Sequence, residues 1–152
     1  MNGAGESGWR GRLVQDQAGI RDIVRSMRRI AVLGIKTERQ RGRPAIDVPR
    51  YLEMAGFEIV PVPVYYPEVT QILGRPVYRR LADVPGEIDL VDVFRRPEDI
   101  PAHVDDLLAK HPAVVWFQLG IRNDAAAERL ARAGIRVVQD RCLMVDYQAL
   151  RG

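Results

Sequence analysis

With 152 residues, 47% of them hydrophobic, the chain can bury one sizeable core and is short for two ordinary domains. Its 28% charged residues are those of a soluble globular protein, and no apolar run approaches the roughly 20 residues of a membrane-spanning helix, so no membrane anchor is expected. The single cysteine, Cys142, excludes an internal disulfide and an all-cysteine metal cage. The net charge of +3 is spread along helices in alternation with acids, which disfavours nucleic acid as a partner and favours an anionic small molecule.

Residues 1–14 are expected to form a flexible tail, and 15–152 one domain. Met1 to Arg12 is glycine-rich and lacks the apolar core and cleavage site of a secretory signal, so a cytoplasmic setting is expected. Gln15 to Arg28 carries Ile20, Ile23, Val24 and Met27 at helical spacing, one apolar stripe made to cover a sheet. Ile30 to Leu33 is a continuous apolar run of strand length, the pattern of a central parallel strand buried on both faces. A helix from about Ala45 to Ala55 stops at Gly56 and leads into a strand over Glu58 to Val62, with Pro49 near its first turn.

Turn-rich sequence follows, and the connection 64–87 is expected to hold only short helical pieces before a third strand, Ile88 to Phe94. Pro97, Glu98 and Asp99 open a helix that runs to about Lys110 on Ile100, Val104, Leu107 and Leu108. Ala113 to Phe117 is the fourth strand. Asn123 caps a helix that ends at Gly134, and Arg136 to Gln139 is the fifth. This alternation predicts a doubly wound α/β fold: a five-stranded parallel sheet with helices on both faces.

In such sheets ligands bind outside the carboxyl ends of the strands, where strand order reverses. The tips to inspect are therefore Gly34, Ile35, Lys36 and Thr37; Pro63, Val64, Tyr65 and Tyr66; Phe94, Arg95 and Arg96; and Gln118, Leu119 and Gly120. Gly34 permits either a close ligand approach or a tight turn, and the loop after it brings Lys36, Arg39, Arg41 and Arg43 as candidate phosphate partners. Arg43, beside Pro44 at the helix entrance, is the preferred one. Arg95 and Arg96 serve equally well as ligand contacts or as ion-pair partners of Glu98 and Asp99, and Phe94 and Tyr65 could lie against an adenine or pack at a rim. The dinucleotide fingerprint G-x-G-x-x-G would need glycines at 36 and 39, where Lys36 and Arg39 stand.

No catalytic constellation is evident. His103 and His111 fall on the third helix and at its far end, away from the expected crevice, and Cys142 beside Leu143, Met144 and Val145 reads as buried packing more readily than as a nucleophile.

The ordered set Ile30-Ala31-Val32-Leu33-Gly34, Arg43-Pro44, Tyr51-Leu52, Gly56-Phe57, Val60-Pro61-Val62, Ile72-Leu73-Gly74, Val91-Asp92-Val93-Phe94-Arg95, Val115-Trp116-Phe117-Gln118-Leu119-Gly120 and Asp140-Arg141-Cys142 resembles the small stand-alone CoA-binding domain proteins. The resemblance runs from about residue 29 to 147, and the same fold is similar to the amino-terminal domain of the succinyl-CoA synthetase α subunit. It implies a Rossmann-like domain binding coenzyme A, or an acyl-CoA, as carrier or sensor without turnover. The implied contacts are Gly34, Ile35, Lys36 and Thr37 with Arg43 and Pro44; Pro63, Val64 and Tyr65; Phe94, Arg95 and Arg96; and Gln118 with Gly120. Two positions depart from the family pattern: Lys36 replaces a small or hydroxyl residue, and Pro63 replaces an asparagine. The alternatives are an NADP-dependent oxidoreductase or other nucleotide-binding enzyme, told apart by hydride transfer, and an interaction module that has lost its ligand, told apart by a closed crevice.

Overall fold

The apolar run after Arg28 forms strand β1, Arg29–Leu33, in a computed structural model that describes residues 8–151. It pairs in parallel with β2, Glu58–Val62, on one side and β3, Leu90–Val93, on the other. Then follow β4, Val114–Phe117, and β5, Arg136–Val138, giving the strand order β2-β1-β3-β4-β5. Strand order therefore reverses between β1 and β3, and the crevice opens at their carboxyl ends.

Alternation along each strand divides the core in two. Ile30 and Val32 face helices α1, Gln17–Ser26, α2, Pro44–Met54, and α5, Leu143–Arg151. Ala31 and Leu33 face α3, Val104–Lys110, and α4, Asp124–Arg132. Both faces of β1 are thus covered, as its unbroken hydrophobicity requires, and the fold is a Rossmann-like α/β sandwich. None of the described helices is long and apolar enough to cross a membrane.

Several local outcomes differ from the sequence expectation. Residues 1–7 of the expected tail lie outside the described residues, but 9–14 are anchored: Trp9 is buried with the guanidinium groups of Arg10 and Arg132 over its ring, and Leu13 bridges to Val137. The connection after β2 contains a small antiparallel ladder, Gln71–Ile72 with Arg75–Pro76, as well as a 3-10 turn at Leu81–Asp83. Helix α5 has no counterpart in the sequence expectation. Its Leu143, Met144, Tyr147 and Leu150 nevertheless repeat at helical spacing and pack on the α1 and α2 side.

The proline inside α2 frees a carbonyl that another segment then uses. Pro49 falls in the second turn of α2, because that helix begins at Pro44. It cannot donate to the carbonyl of Ala45, which instead accepts the backbone N–H of Lys36 at 3.1 Å. The expected single helix from Pro97 to Lys110 is split into a 3-10 stretch, Pro97–His103, and α3. The Asn123 side-chain amide donates to the carbonyl of Pro97, at the start of that stretch, at 3.0 Å.

One polar side chain is buried in the middle of the sheet. Asp92 on β3 is 0% exposed, stands in register with Val32 and Trp116, and finds no hydrogen-bond partner for either carboxylate oxygen among the described residues. Burial pushes its carboxyl well above the usual carboxylate range and so disfavours its charged form.

Candidate functional site

At the carboxyl end of the sheet lies an open cleft of about 650 Å³. One wall is Lys36 with the start of α2, from Gly42 to Val48; the other is the β3 tip, Phe94 to Pro97, and the β4 tip, Gln118 to Ile121. Cys142 and Met144, at the start of α5, close the far end. A volume of that size suits a small organic ligand of nucleotide dimensions.

The loop after β1 explains which of its residues reach the cleft. Gly34 has φ +86°, and a Cβ there would lie 2.3 Å from the carbonyl oxygen of Phe94 and 3.1 Å from Cδ of Arg95. The missing side chain accommodates the neighbouring strand tip. Ile35 is buried in the core. The Thr37 hydroxyl donates to Gln40 at 2.6 Å and accepts from the Arg39 N–H at 3.3 Å, capping a short 3-10 turn at Glu38–Gln40. That turn makes the path from β1 to α2 a long loop, unlike the tight glycine turn a dinucleotide site needs. Of Gly34 to Thr37, Lys36 alone lines the cleft, its backbone pinned to Ala45.

Four cations border the cleft: Lys36, Arg43, Arg95 and Arg96. Arg96 pairs with Asp99 at 2.9 Å, and Arg95 reaches the same carboxylate at 3.6 Å. The hydrogen bond to Asp99, and then its charge, hold the Arg96 guanidinium above its usual pKa. Lys36 and Arg43 have no ion-pair partner among the described residues. Asp47 also borders the cleft but accepts the Gly42 N–H at 3.1 Å. The remainder is largely apolar, from Ala45, Val48, Phe94, Leu119, Ile121 and Met144.

Arg95 is enclosed. Its Nε donates to Nε2 of His103 at 3.1 Å, one terminal nitrogen donates to the Tyr65 hydroxyl at 3.4 Å, and the guanidinium lies over the Tyr65 ring. Arg95 lowers the pKa of the Tyr65 phenol through that hydrogen bond and its charge. His103 is held below its usual value, first by burial and then by the charge of Arg95. This histidine, expected to point away from the crevice, therefore contacts one of its walls.

The structure brings Lys36, Arg43, Pro44, Phe94, Arg95, Arg96, Gln118 and Gly120 around the cleft and leaves Gly34, Ile35, Thr37, Pro63, Val64 and Tyr65 outside it. Pro63 is buried, and Val64 packs against the core beneath α3 and α4. Tyr65 meets the site through Arg95. Its loop is tied by Arg79, whose guanidinium donates to the carbonyls of Tyr65, Tyr66 and Val69 at 2.9, 2.8 and 2.7 Å. Gln118 is 3% exposed, and its amide oxygen accepts the Leu143 N–H at 3.1 Å, so it also fixes the entry to α5. Sequence reasoning missed Val48, Ile121, Cys142 and Met144 as lining residues; the helical spacing after Arg141 was the available signal for the last two. Among the described residues no three His, Cys, Asp or Glu side chains are grouped to hold a metal ion.

The model of the CoA binding domain matches residues 28–148. The chain belongs to this CoA-binding domain family. That match spans β1 to α5 and hence every wall of the cleft. Among relatives, the uncharacterized protein YneT of Bacillus subtilis (strain 168) is 33% identical over 131 residues, covering 86% of this chain and 93% of its own. Among solved structures, cell-free ID.343 from Thermus thermophilus superposes with a TM-score of 0.80 at 36% identity, over 90% of this chain and 99% of that one. A hypothetical protein from Pyrococcus horikoshii OT3 also reaches 0.80, at 30% identity, over 91% and 94%.

Proposed function

We propose that the cleft binds coenzyme A or an acyl-CoA reversibly and without turnover, the protein acting as a carrier or sensor of that ligand. The observation that carries this reading is the pair of cations with no ion-pair partner among the described residues, Lys36 and Arg43, on one wall of a cleft whose lining is otherwise largely apolar. A pyrophosphate with a further phosphate needs several cationic partners, and the pantetheine arm needs an apolar path; one ligand answers both demands. Arg43 and Lys36 take the pyrophosphate, Arg95 and Arg96 the further phosphate, and Phe94, Leu119, Ile121 and Met144 the uncharged arm. Family membership supports the same ligand.

The test is thermal unfolding with CoA, dephospho-CoA, NAD and NADP. At about 100 times its dissociation constant a ligand of the native state adds roughly 2.7 kcal/mol. CoA is expected to give the largest upward shift, and dephospho-CoA a smaller one. A clear shift with NADP and none with millimolar CoA refutes the reading in favour of a dinucleotide enzyme.

A further inference from the structure

The side chain of Arg95 is only 14% exposed, yet its donors are unevenly used. Guanidinium has five N–H groups. Only the Nε contact to His103, at 3.1 Å, is of ordinary hydrogen-bond length; the terminal nitrogens reach Tyr65 at 3.4 Å and Asp99 at 3.6 Å. The two ends facing away from Nε are therefore the ones left for an anion, and the contact to His103 sets their aim.

That contact has one chemical requirement. Nε of arginine is always a donor, so Nε2 of His103 must carry a lone pair, and the imidazole must be neutral with its proton on Nδ1. A second proton would set two N–H groups and two positive charges against each other at 3.1 Å. We propose that His103 is a positioning residue that aims Arg95 at the ligand only while its imidazole is neutral, so that acidification releases Arg95 and weakens ligand binding.

The charged groups around His103 fit this role. Arg95 faces it from the β3 tip, Asp99 from the 3-10 stretch and Asp106 from α3. The two acids favour the imidazolium, but both are already engaged. Asp106 accepts the N–H groups of Leu81 and Ala82 at 2.7 and 2.9 Å, and Asp99 accepts from Arg96 at 2.9 Å. Burial and Arg95 then decide the balance and keep His103 below its usual pKa, hence neutral near pH 7. A ligand phosphate would pull the other way and tighten binding on acidification, so the sign of the pH response discriminates.

The inference rests on the CoA reading only for its ligand, and a two-part experiment separates them. Imidazole NMR of the free protein reads the tautomer and titration of His103 directly. The Nδ1–H form is expected, with a pKa that rises in Arg95→Met; an Nε2–H form, or a titration unmoved by Arg95→Met, overturns the proposal whatever the ligand. Calorimetry with CoA then compares about pH 7.5 with about pH 5.5. Wild type should lose more affinity across that interval than His103→Gln, whose amide oxygen accepts without titrating, by less than the roughly tenfold that an imidazole of ordinary pKa would give. His103→Leu, with no acceptor, should bind weakly at both. Equal pH responses in wild type and His103→Gln, or tighter binding of wild type at the lower pH, overturn it. Absence of CoA binding by wild type near neutrality refutes the CoA reading alone, and the NMR result still decides the role of His103.

Discussion

Replacing Asp92 by asparagine removes an ionisable group from the centre of the sheet while keeping its size. In wild type the native state retains a proton that the unfolded chain releases once the pH passes the ordinary carboxylate value, because the buried carboxyl has its pKa raised by burial alone. The native state then binds more protons than the unfolded one, and stability falls as pH rises. The slope is about 1.4 kcal/mol per pH unit, beginning near pH 4 and ending where the native carboxyl itself titrates. The asparagine variant has no such slope, and every other carboxylate contributes equally to both proteins. The difference in unfolding free energy between Asp92→Asn and wild type should therefore be small near pH 4 and widen with pH in favour of the variant. For a chain of this size each 1 kcal/mol is worth about 3 °C in melting temperature. Urea unfolding across about pH 4 to 8 measures the difference, and the pH at which it levels off reports the native pKa. A difference that does not change with pH, or a variant less stable throughout, would mean that Asp92 is ionised and partnered, and the reasoning would fail.

Gly34→Ala should cost about 2–3 kcal/mol, since the position combines a left-handed backbone with a Cβ 2.3 Å from the Phe94 carbonyl; thermal unfolding should fall by about 5–10 °C. Lys36→Ala and Arg43→Ala should each weaken CoA by about five- to tenfold in calorimetry, with little change in melting temperature, because neither side chain has an ion-pair partner among the described residues. Pro49→Ala restores a helical N–H that competes for the Ala45 carbonyl, so the Lys36 amide should exchange with deuterium about tenfold faster while that of Leu33 keeps its rate.

Strand and helix alternation from Ile30 onward was legible because a parallel strand buried on both faces leaves an unbroken apolar run, and Gly56 and Gly134 end their helices where αL backbone is needed. The basic loop was legible in Lys36 and Arg43 for the same reason: cations placed after a strand tip. The position of His103 was not. Read as one α-helix, 97–110 carries it away from the crevice, but the 3-10 stretch turns about 120° further over six residues, and this brings the imidazole to Arg95. Pro97 and Pro101 were the signal. The place of Tyr65 was hidden for a different reason: its loop has no periodicity, and its course is set by Arg79, fourteen residues later. Nothing local in the sequence announces such a tie.

Arg79 thereby makes the loop after β2 fail at a single point. Three carbonyls of a segment with no ladder of its own accept from one guanidinium, and the same segment carries the aromatic ring over which Arg95 lies. Opening of residues 65–69 and loosening of Arg95 are then a single local unfolding event, with a free energy below that of the whole domain. Native-state exchange should find the Val69 amide, bonded to the Tyr66 carbonyl, among the earlier ones to open, and ligand that engages Arg95 should protect it from a distance. The cleft and this outlying loop would share one opening equilibrium, and ligand occupancy would be written in the protease sensitivity of a segment that does not line the cleft.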